Sequence, residues 1–170
     1  DNLPGLIIDI YGKTAVVQAQ TEGMALNVRN IADALMTIPG LNIISVYNKS
    51  SEAMQRMGKD AVDDGYLIGE KSDDFVLEND SKFLIDWEKG QKTGFFLDQR
   101  NNRELVRQLA KNKTVLNTFC YTGGFSVTAL NGGAKKVVSV DCSKKAISDC
   151  EKNIALNGFD IVENPSVAED

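Results

Sequence analysis

The fold is most clearly indicated by residues 115–126, which read Val115-Leu116-Asn117-Thr118-Phe119-Cys120-Tyr121-Thr122-Gly123-Gly124-Phe125-Ser126. The apolar run predicts a strand, the glycine pair predicts a tight turn, and the residues after it predict the start of a helix. Strand and helix patterns continue to alternate downstream, with a strand over 136–140 and a helix over about 143–157. Such alternation is typical of a parallel sheet, so we expect the first part of a Rossmann-like α/β domain.

The residues upstream predict a different architecture, an α+β domain. A helix capped by Thr21 is predicted over about 22–38. The predicted strands are 6–10, 15–20, 41–47, 66–68, 74–78 and 82–87. The first two strands are joined by Tyr11-Gly12-Lys13-Thr14, a hairpin turn, and residues 49–64 are polar enough to form a loop or a short helix. A polar, glycine-punctuated connector begins at residue 88. We therefore expect two domains, residues 1–88 and residues 89–170.

A further helix is predicted between the connector and the strand at 114–117. Asp98 is a suitable N-cap, and the helix would run through Leu109. The spacing of Leu105, Val106 and Leu109 predicts that these three side chains face the core.

The glycine turn and a downstream carboxylate have the spacing found in nucleoside sites. Free amides at a helix start can face a ligand, and Asp141 ends the next predicted strand, 18 residues after Gly123. Nucleotide-binding α/β units place the carboxylate that binds ribose about 20 residues after the glycines. Neither a G-x-G-x-x-G pattern nor a Gly-Lys-Ser/Thr sequence is present. The spacing alone leaves S-adenosylmethionine (SAM), a dinucleotide and a simple turn equally open.

Composition excludes several classes of site. The chain has no histidine, which excludes a Ser-His-Asp triad and His-ligated zinc among these 170 residues. Its three cysteines form no Cys-x-x-Cys pair, so we expect no structural metal and a reducing, cytoplasmic location. No apolar stretch is long enough to cross a bilayer, so we expect no membrane partner. The net charge of −5 does not favour nucleic-acid binding by this chain alone.

Two blocks make a family resemblance visible. Residues 115–126 and the block Gly90-Gln91-Lys92-Thr93-Gly94-Phe95-Phe96-Leu97-Asp98-Gln99-Arg100 resemble the SAM-dependent ribosomal RNA large-subunit methyltransferase I family. The opening residues 3–12 are similar to the start of that family's central domain. The resemblance implies SAM as cofactor, cytosine carbon 5 in 23S ribosomal RNA as target, and RNA binding through the full-length protein. It also implies that this chain lacks an N-terminal PUA domain and most of the catalytic domain.

The same resemblance implies roles for particular residues. Those expected to contact the cofactor are Phe119, Tyr121, Thr122, Gly123, Gly124, Asp141, Asp170, Arg100 and Gln99. Asp141 would bind the ribose, Asp170 the adenine, and Gln99 and Arg100 would form a wall of the pocket. The family's catalytic cysteine lies beyond Asp170, so we expect no catalytic residue and no methyl transfer by this chain alone. Cys120, Cys142 and Cys150 are each expected to be small buried hydrophobic residues.

Other functions stay open at this point. A SAM-dependent methyltransferase with another RNA target is the nearest alternative, and a non-catalytic module that binds RNA or protein is a second. A NAD-linked oxidoreductase is the most distant. A sheet of three parallel strands would also have an open edge, so we expect either a homodimer formed through that edge or a weakened cofactor site.

Overall fold

The computed structural model describes residues 2–59, 63–71 and 75–169. The chain divides into two compact units, one from residues 1–74 and 85–96 and the other from residues 75–84 and 97–170. The sequence predicts a single boundary between residues 88 and 89, whereas these units interleave along the chain. No helix in the described ranges is both long enough and apolar enough to cross a membrane.

The first unit is built on a four-stranded mixed sheet. Its strands are β1 (Leu6–Tyr11), β2 (Thr14–Ala19), β3 (Ser45–Asn48) and β4 (Gly65–Ile68), adjacent in that order. The β1–β2 and β3–β4 pairs are antiparallel, and the β2–β3 pair is parallel. The register pairs Tyr11 with Thr14, which confirms the predicted hairpin. β3 begins later than the strand predicted over 41–47, because Asn42 has a left-handed φ of 51° that interrupts extended backbone.

Three short helices belong to this unit, α1 (Glu22–Leu26), α2 (Val28–Met36) and α3 (Ser51–Arg56). Thr21 caps α1 as predicted, because its Oγ1 accepts a hydrogen bond from the Met24 amide at 3.4 Å. The single helix predicted over 22–38 is wrong, since the backbone leaves helical geometry at Asn27. The Asn27 side-chain amide donates to the Gly23 carbonyl at 2.8 Å, and a local bond of this kind competes with continuation of the helix.

A buried apolar cluster joins α2 to the sheet. Its members are Ala15, Val17, Val28, Ala32, Leu35, Ile43 and Val46. Val28 and Leu35 are buried residues of α2, separated by about two helical turns, and the strand residues alternate with neighbours on the opposite face of the sheet. The opposite face of the sheet therefore packs against α3 and residues 85–96.

The segment 85–96 belongs to the first unit through side-chain contacts. The Trp87 indole Nε1 donates to the Tyr66 hydroxyl at 3.1 Å, and the Trp87 ring stacks on Tyr11 with centroids 6.1 Å apart. The Lys49 ammonium is buried and donates to the carbonyls of Trp87 and Gly90, both at 2.5 Å. Burial lowers the pKa of Lys49, and the nearby carboxylates offset only part of this decrease.

A small hairpin, β5 (Val76–Glu78) and β6 (Ser81–Phe83), belongs to the second unit. Two backbone amides at β6 donate hydrogen bonds to asparagine side chains rather than to another strand. The Lys82 amide donates to Asn157 Oδ1 at 2.9 Å, and the Leu84 amide donates to Asn153 Oδ1 at 2.7 Å. The strand predicted over 82–87 therefore ends at Phe83. Asp74, predicted in the preceding strand, lies outside the described residues.

The second unit contains the predicted parallel sheet. Strands β7 (Thr114–Thr118), β8 (Lys136–Asp141) and β9 (Ser166–Ala168) are adjacent in that order, and both pairs are parallel. Helices α4 (Arg100–Leu109), α5 (Gly124–Asn131) and α6 (Lys144–Leu156) precede or connect them. This arrangement confirms the Rossmann-like fold class. Ser143 is the N-cap of α6, and its hydroxyl oxygen accepts a hydrogen bond from the Ala146 amide at 3.2 Å.

The start and the buried face of α4 differ from prediction. A 3-10 turn over Leu97–Gln99 precedes it, so Gln99 rather than Asp98 is the N-cap. Leu105 and Leu109 are exposed, whereas Arg103 is only 2% exposed. The inward face of α4 is set by an ion pair, because the Arg103 guanidinium binds both carboxylate oxygens of Glu78 at 2.6 Å. Its partner comes from the β5–β6 hairpin, which no helical periodicity could indicate.

Candidate functional site

The loop between β7 and α5 has an unusual backbone. Phe119, Tyr121 and Gly123 have φ values of 60°, 50° and 81°, so left-handed residues alternate along the loop. Non-glycine residues seldom adopt positive φ, and such strain is concentrated at functional sites. The Cys120 amide donates to the Val140 carbonyl at 2.9 Å, which ties the loop to the end of β8. The carboxyl ends of parallel strands are where open α/β sheets bind ligands.

Asp141 lies directly beside this loop. Its Oδ2 accepts a hydrogen bond from the Tyr121 amide at 2.9 Å, and its Oδ1 accepts from the Ser143 amide at 3.0 Å. The two bonds fix the orientation of the carboxylate. Each carboxylate oxygen can accept a second hydrogen bond, so Asp141 keeps acceptor capacity for a ligand hydroxyl.

The start of α5 offers donors next to that acceptor. Gly123 is the N-cap, and no side chain caps the helix. The first amides of α5 therefore depend on solvent or a ligand, and the helix dipole favours a negative group there. Thr122 is buried, and its carbonyl accepts from the Asn153 side-chain amide at 2.8 Å. The Asn153 side chain thus anchors the loop. Its Oδ1 also accepts a hydrogen bond from the Leu84 amide.

Gly123 is required by packing as well as by its φ. A Cβ on this residue would lie 2.5 Å from the Cys150 sulfur, so α6 closes the space behind the loop. The sequence explains the glycine by the tight turn between a strand and a helix. The structure adds a second cause, which is the close approach of α6.

A buried polar layer supports the loop. Ser126 Oγ lies 2.7 Å from Ser139 Oγ, and the Asn117 side-chain amide donates to Ser126 Oγ at 2.8 Å. Cys120 and Cys150 adjoin this layer and are buried as predicted, whereas Cys142 is exposed, so the prediction for Cys142 is wrong.

The two buried thiols influence each other. The neighbouring Cys150 thiol, together with burial, raises the pKa of Cys120. The same contact, with help from serine hydroxyls, lowers the pKa of Cys150 against the effect of its own burial.

The structure brings most of the predicted residues together. Loop residues Phe119 to Gly124 and Asp141 form one cluster, with Phe119 90% exposed at its margin. Gln99 and Arg100 have other partners: the Gln99 Oε1 accepts from Asn102 at 2.8 Å, and the Arg100 Nε lies 3.3 Å from Glu78 Oε2.

The position at the end of β9 is only partly described. Asp170 lies outside the described residues, while the neighbouring Glu169 amide donates to the Asp141 carbonyl at 3.1 Å. Within the described ranges, no group of acidic or cysteine side chains is arranged to hold a metal ion.

Sequence reasoning missed the role of Asn153. The signal was an asparagine one position before Ile154 on the apolar stripe of α6, where a buried amide needs partners. Its two partners, Thr122 and Leu84, lie 31 and 69 residues away in sequence, so only the fold reveals them.

Comparison with known proteins gives a consistent result. A model of the S-adenosylmethionine-dependent methyltransferase family matches residues 10–168. Ribosomal RNA large subunit methyltransferase I of Aeromonas salmonicida is 40% identical over 172 residues, covering 100% of this chain and 43% of the relative. The protein of the same name from Escherichia coli strain K12 is 37% identical with the same coverage. The chain therefore spans less than half the length of these relatives.

Solved structures agree with the fold. A Streptococcus mutans protein assigned as a SAM-dependent methyltransferase superposes with a TM-score of 0.80 at 29% identity, covering 98% of this chain and 42% of that one. A methyltransferase solved in complex with SAH gives the same TM-score and coverage at 28% identity. The parallel sheet, the glycine turn with its adjacent carboxylate and the match over 10–168 lead to one assignment. The chain belongs to the S-adenosylmethionine-dependent methyltransferase family.

Proposed function

We propose that this chain binds SAM through loop residues 119–124 and Asp141, and that the protein to which it belongs methylates large-subunit ribosomal RNA. The observation that carries the cofactor site is the Asp141 carboxylate, held at 2.9 Å by the Tyr121 amide beside the uncapped start of α5. A fixed acceptor and free amide donors then lie side by side at the ends of two parallel strands.

This donor and acceptor set fits SAM. The ribose hydroxyls would donate to Asp141, and the carboxylate of the methionyl group suits the amides at the start of α5. The loop has one glycine pair and no glycine-rich cradle of the kind that a pyrophosphate requires, which disfavours a dinucleotide. When bound, SAM supplies an electrophilic methyl group.

The chain's own residues would bind and orient the cofactor. Asp141 accepts from the sugar, the Tyr121 amide holds that carboxylate in place, and Asn153 prevents the Thr122 carbonyl from shifting. Phe119 offers an exposed aromatic face at the margin of the site. Gln99, Arg100 and Asp170 stay assigned to the pocket by family resemblance alone.

The RNA target rests on the relatives. Two proteins covered to 43% of their length carry the name ribosomal RNA large subunit methyltransferase I, and we infer ribosomal RNA as the substrate of the whole protein. Cytosine carbon 5 in 23S RNA is the specific target that we propose. An enzyme acting on ribosomal RNA would work in the cytoplasm.

The cysteines of this chain do not suit the nucleophile of such a reaction. Cys120 and Cys150 are buried beneath the loop, and Cys142 directly follows the carboxylate that would bind ribose. We therefore expect no incorporation of tritium from methyl-labelled SAM into naked large-subunit RNA by this chain alone. Incorporation would contradict this expectation.

Calorimetry with the chain tests the cofactor site. We expect SAM and SAH to bind, NAD not to bind, and Asp141→Ala to weaken SAM affinity by about tenfold or more, since a fixed charged acceptor is lost. Asp149→Ala removes a carboxylate from α6 away from the loop and should leave the affinity unchanged. Failure of SAM to bind a folded chain would contradict the proposal.

A further inference from the structure

A second cleft lies on the first unit, far along the sequence from the glycine loop. It has a volume of about 450 Å³, and its lining includes Ile7, Asp9, Gln18, Ala53, Arg56 and Lys92. Ile7 and Gln18 are cross-strand partners on β1 and β2, so the floor is the sheet face opposite α2. The cofactor site proposed above uses none of these residues.

Gln18 is the most informative residue of this cleft. It is only 9% exposed, yet its side-chain amide forms no hydrogen bond with another described residue. In the described part of the chain, every fully buried side-chain nitrogen or oxygen has a hydrogen-bond partner, so the unpaired polar atoms of Gln18 are accessible from the cleft. The Gln18 amide therefore presents a donor and an acceptor to a ligand in the cleft.

Asp9 adds an oriented acceptor two residues along β1 from Ile7. The Thr93 hydroxyl, which is buried, donates to Asp9 Oδ2, and the Tyr11 hydroxyl lies 2.9 Å from Thr93 Oγ1. This chain of hydroxyls fixes the carboxylate. Oδ1 of Asp9 has no partner among the described residues, so it can accept a hydrogen bond from a ligand.

The charges around the cleft are balanced. Arg56 pairs with Glu52 on the exposed side of α3, and the Lys92 ammonium lies 4.5 Å from the centre of the Phe96 ring. Two acidic and two basic side chains therefore line the cleft, and a continuous phosphate track is not favoured. The centre offers an amide, a carboxylate and the apolar side chains of Ile7 and Ala53.

This combination matches the edge of a nucleobase. A carboxylate accepts from an exocyclic amino group, as in the pairing of Asp or Glu with cytosine N4, and an amide side chain reads an adjacent donor and acceptor. Apolar surface suits the flat face of a base. Unpaired bases are the part of an RNA that proteins read in this way.

We propose that this cleft binds one unpaired nucleotide of the RNA substrate, with its base edge on Asp9 and Gln18 and its phosphate near Arg56 and Lys92. The proposal rests on the inference that the protein acts on RNA. It assigns the first unit a role in substrate recognition that is separate from the cofactor site.

Fluorescence anisotropy with the whole chain tests this site, using a labelled single-stranded RNA of nine nucleotides in mixed sequence. We expect Gln18→Leu to weaken binding by about tenfold, because leucine cannot form the hydrogen bonds to the base edge. Asp9→Asn should also weaken binding. The matched controls are Gln55→Leu on α3 and Asp33→Asn on α2, whose parent residues are exposed and do not line the cleft.

The affinity of every variant for SAM is measured on the same samples. Loss of RNA binding in the cleft variants, with SAM affinity and controls unchanged, supports the proposal. Equal RNA binding by Gln18→Leu and Gln55→Leu overturns it while leaving the cofactor site intact. Loss of SAM binding in Gln18→Leu, or no RNA binding by the folded chain, also overturns it. Failure of the unaltered chain to bind SAM contradicts the proposed function and leaves the RNA measurement to be judged separately.

Discussion

At Gly123 a single hydrogen atom occupies a position where any side chain would meet Cys150. Its φ is 81°, and a Cβ would lie 2.5 Å from the Cys150 sulfur. We expect Gly123→Ala to lower the free energy of unfolding by about 2–4 kcal/mol, since left-handed backbone costs about 1–2 kcal/mol and overpacking costs a similar amount. Urea denaturation measures this loss.

Gly158 is the matched control for this substitution. Its φ is 82°, but nothing lies within 4 Å of the position that a Cβ would take. Gly158→Ala should therefore show only the backbone cost, about 1–2 kcal/mol. Equal losses for the two variants would mean that α6 yields to the added methyl group, and that packing does not select the glycine.

Single residues also mark how far the sequence could lead. Gly123 and Asp141 could be proposed as site residues because a turn, a strand end and a carboxylate follow one another locally. Gln18 and Asn153 could not, because an amide in a strand or helix shows no sign of which distant group it will face. The proposed role of Gln18 depends on its position in the cleft, and the role of Asn153 depends on two partners that only the tertiary fold supplies.

A buried ion pair joins α4 to the β5–β6 hairpin. The side chains of Arg103 and Glu78 are 2% and 7% exposed, and two hydrogen bonds of 2.6 Å connect them. Glu78→Gln leaves a buried guanidinium without its counter-charge, so we expect a loss of about 3–5 kcal/mol at pH 7. Glu52→Gln, which breaks the exposed pair with Arg56, should cost less than about 1 kcal/mol.

The same pair gives the protein a defined response to acid. Burial alone would raise the pKa of Glu78, but the hydrogen bonds and charge of Arg103 and Arg100 lower it below its ordinary value of 4.5. The contribution to stability is therefore complete above pH 4.5 and is lost as the pH falls through the lower folded-state pKa. Thermal unfolding followed from pH 6 to pH 3 should show a smaller decline for Glu78→Gln than for the unaltered chain. Parallel declines would contradict the assignment.

Element types were more predictable than element contacts. The alternation after residue 114 predicted the parallel sheet, because each strand and helix has its own period in the sequence. The face of α4 was wrongly predicted from its leucines, since Arg103 finds its partner in a hairpin 25 residues earlier. The break at Asn27 was missed because one polar side chain can end a helix whose apolar pattern continues.

The second unit exposes apolar side chains at the free edge of its sheet and on α4. Among the described residues β7 pairs only with β8, and Leu116 on β7 is 65% exposed. Leu105 and Leu109 of α4 are also exposed, so the apolar residues are not confined to the strand. Unpaired parallel strands with apolar side chains favour association, because both the backbone edge and the side chains gain partners.

We therefore expect the chain to form a homodimer through this edge, with the dimer fraction rising with concentration in sedimentation velocity. The net charge of −5 opposes association only weakly at moderate salt, where the Debye length is about 8–10 Å. Leu116→Lys places a charge on the edge and should shift the population to monomer, whereas Leu26→Lys, on an exposed leucine of α1, should not. A monomer at every concentration would contradict edge pairing. If Leu116→Lys and Leu26→Lys dimerised to the same extent, the charge on β7 would have no effect, and the dimer would form through another surface.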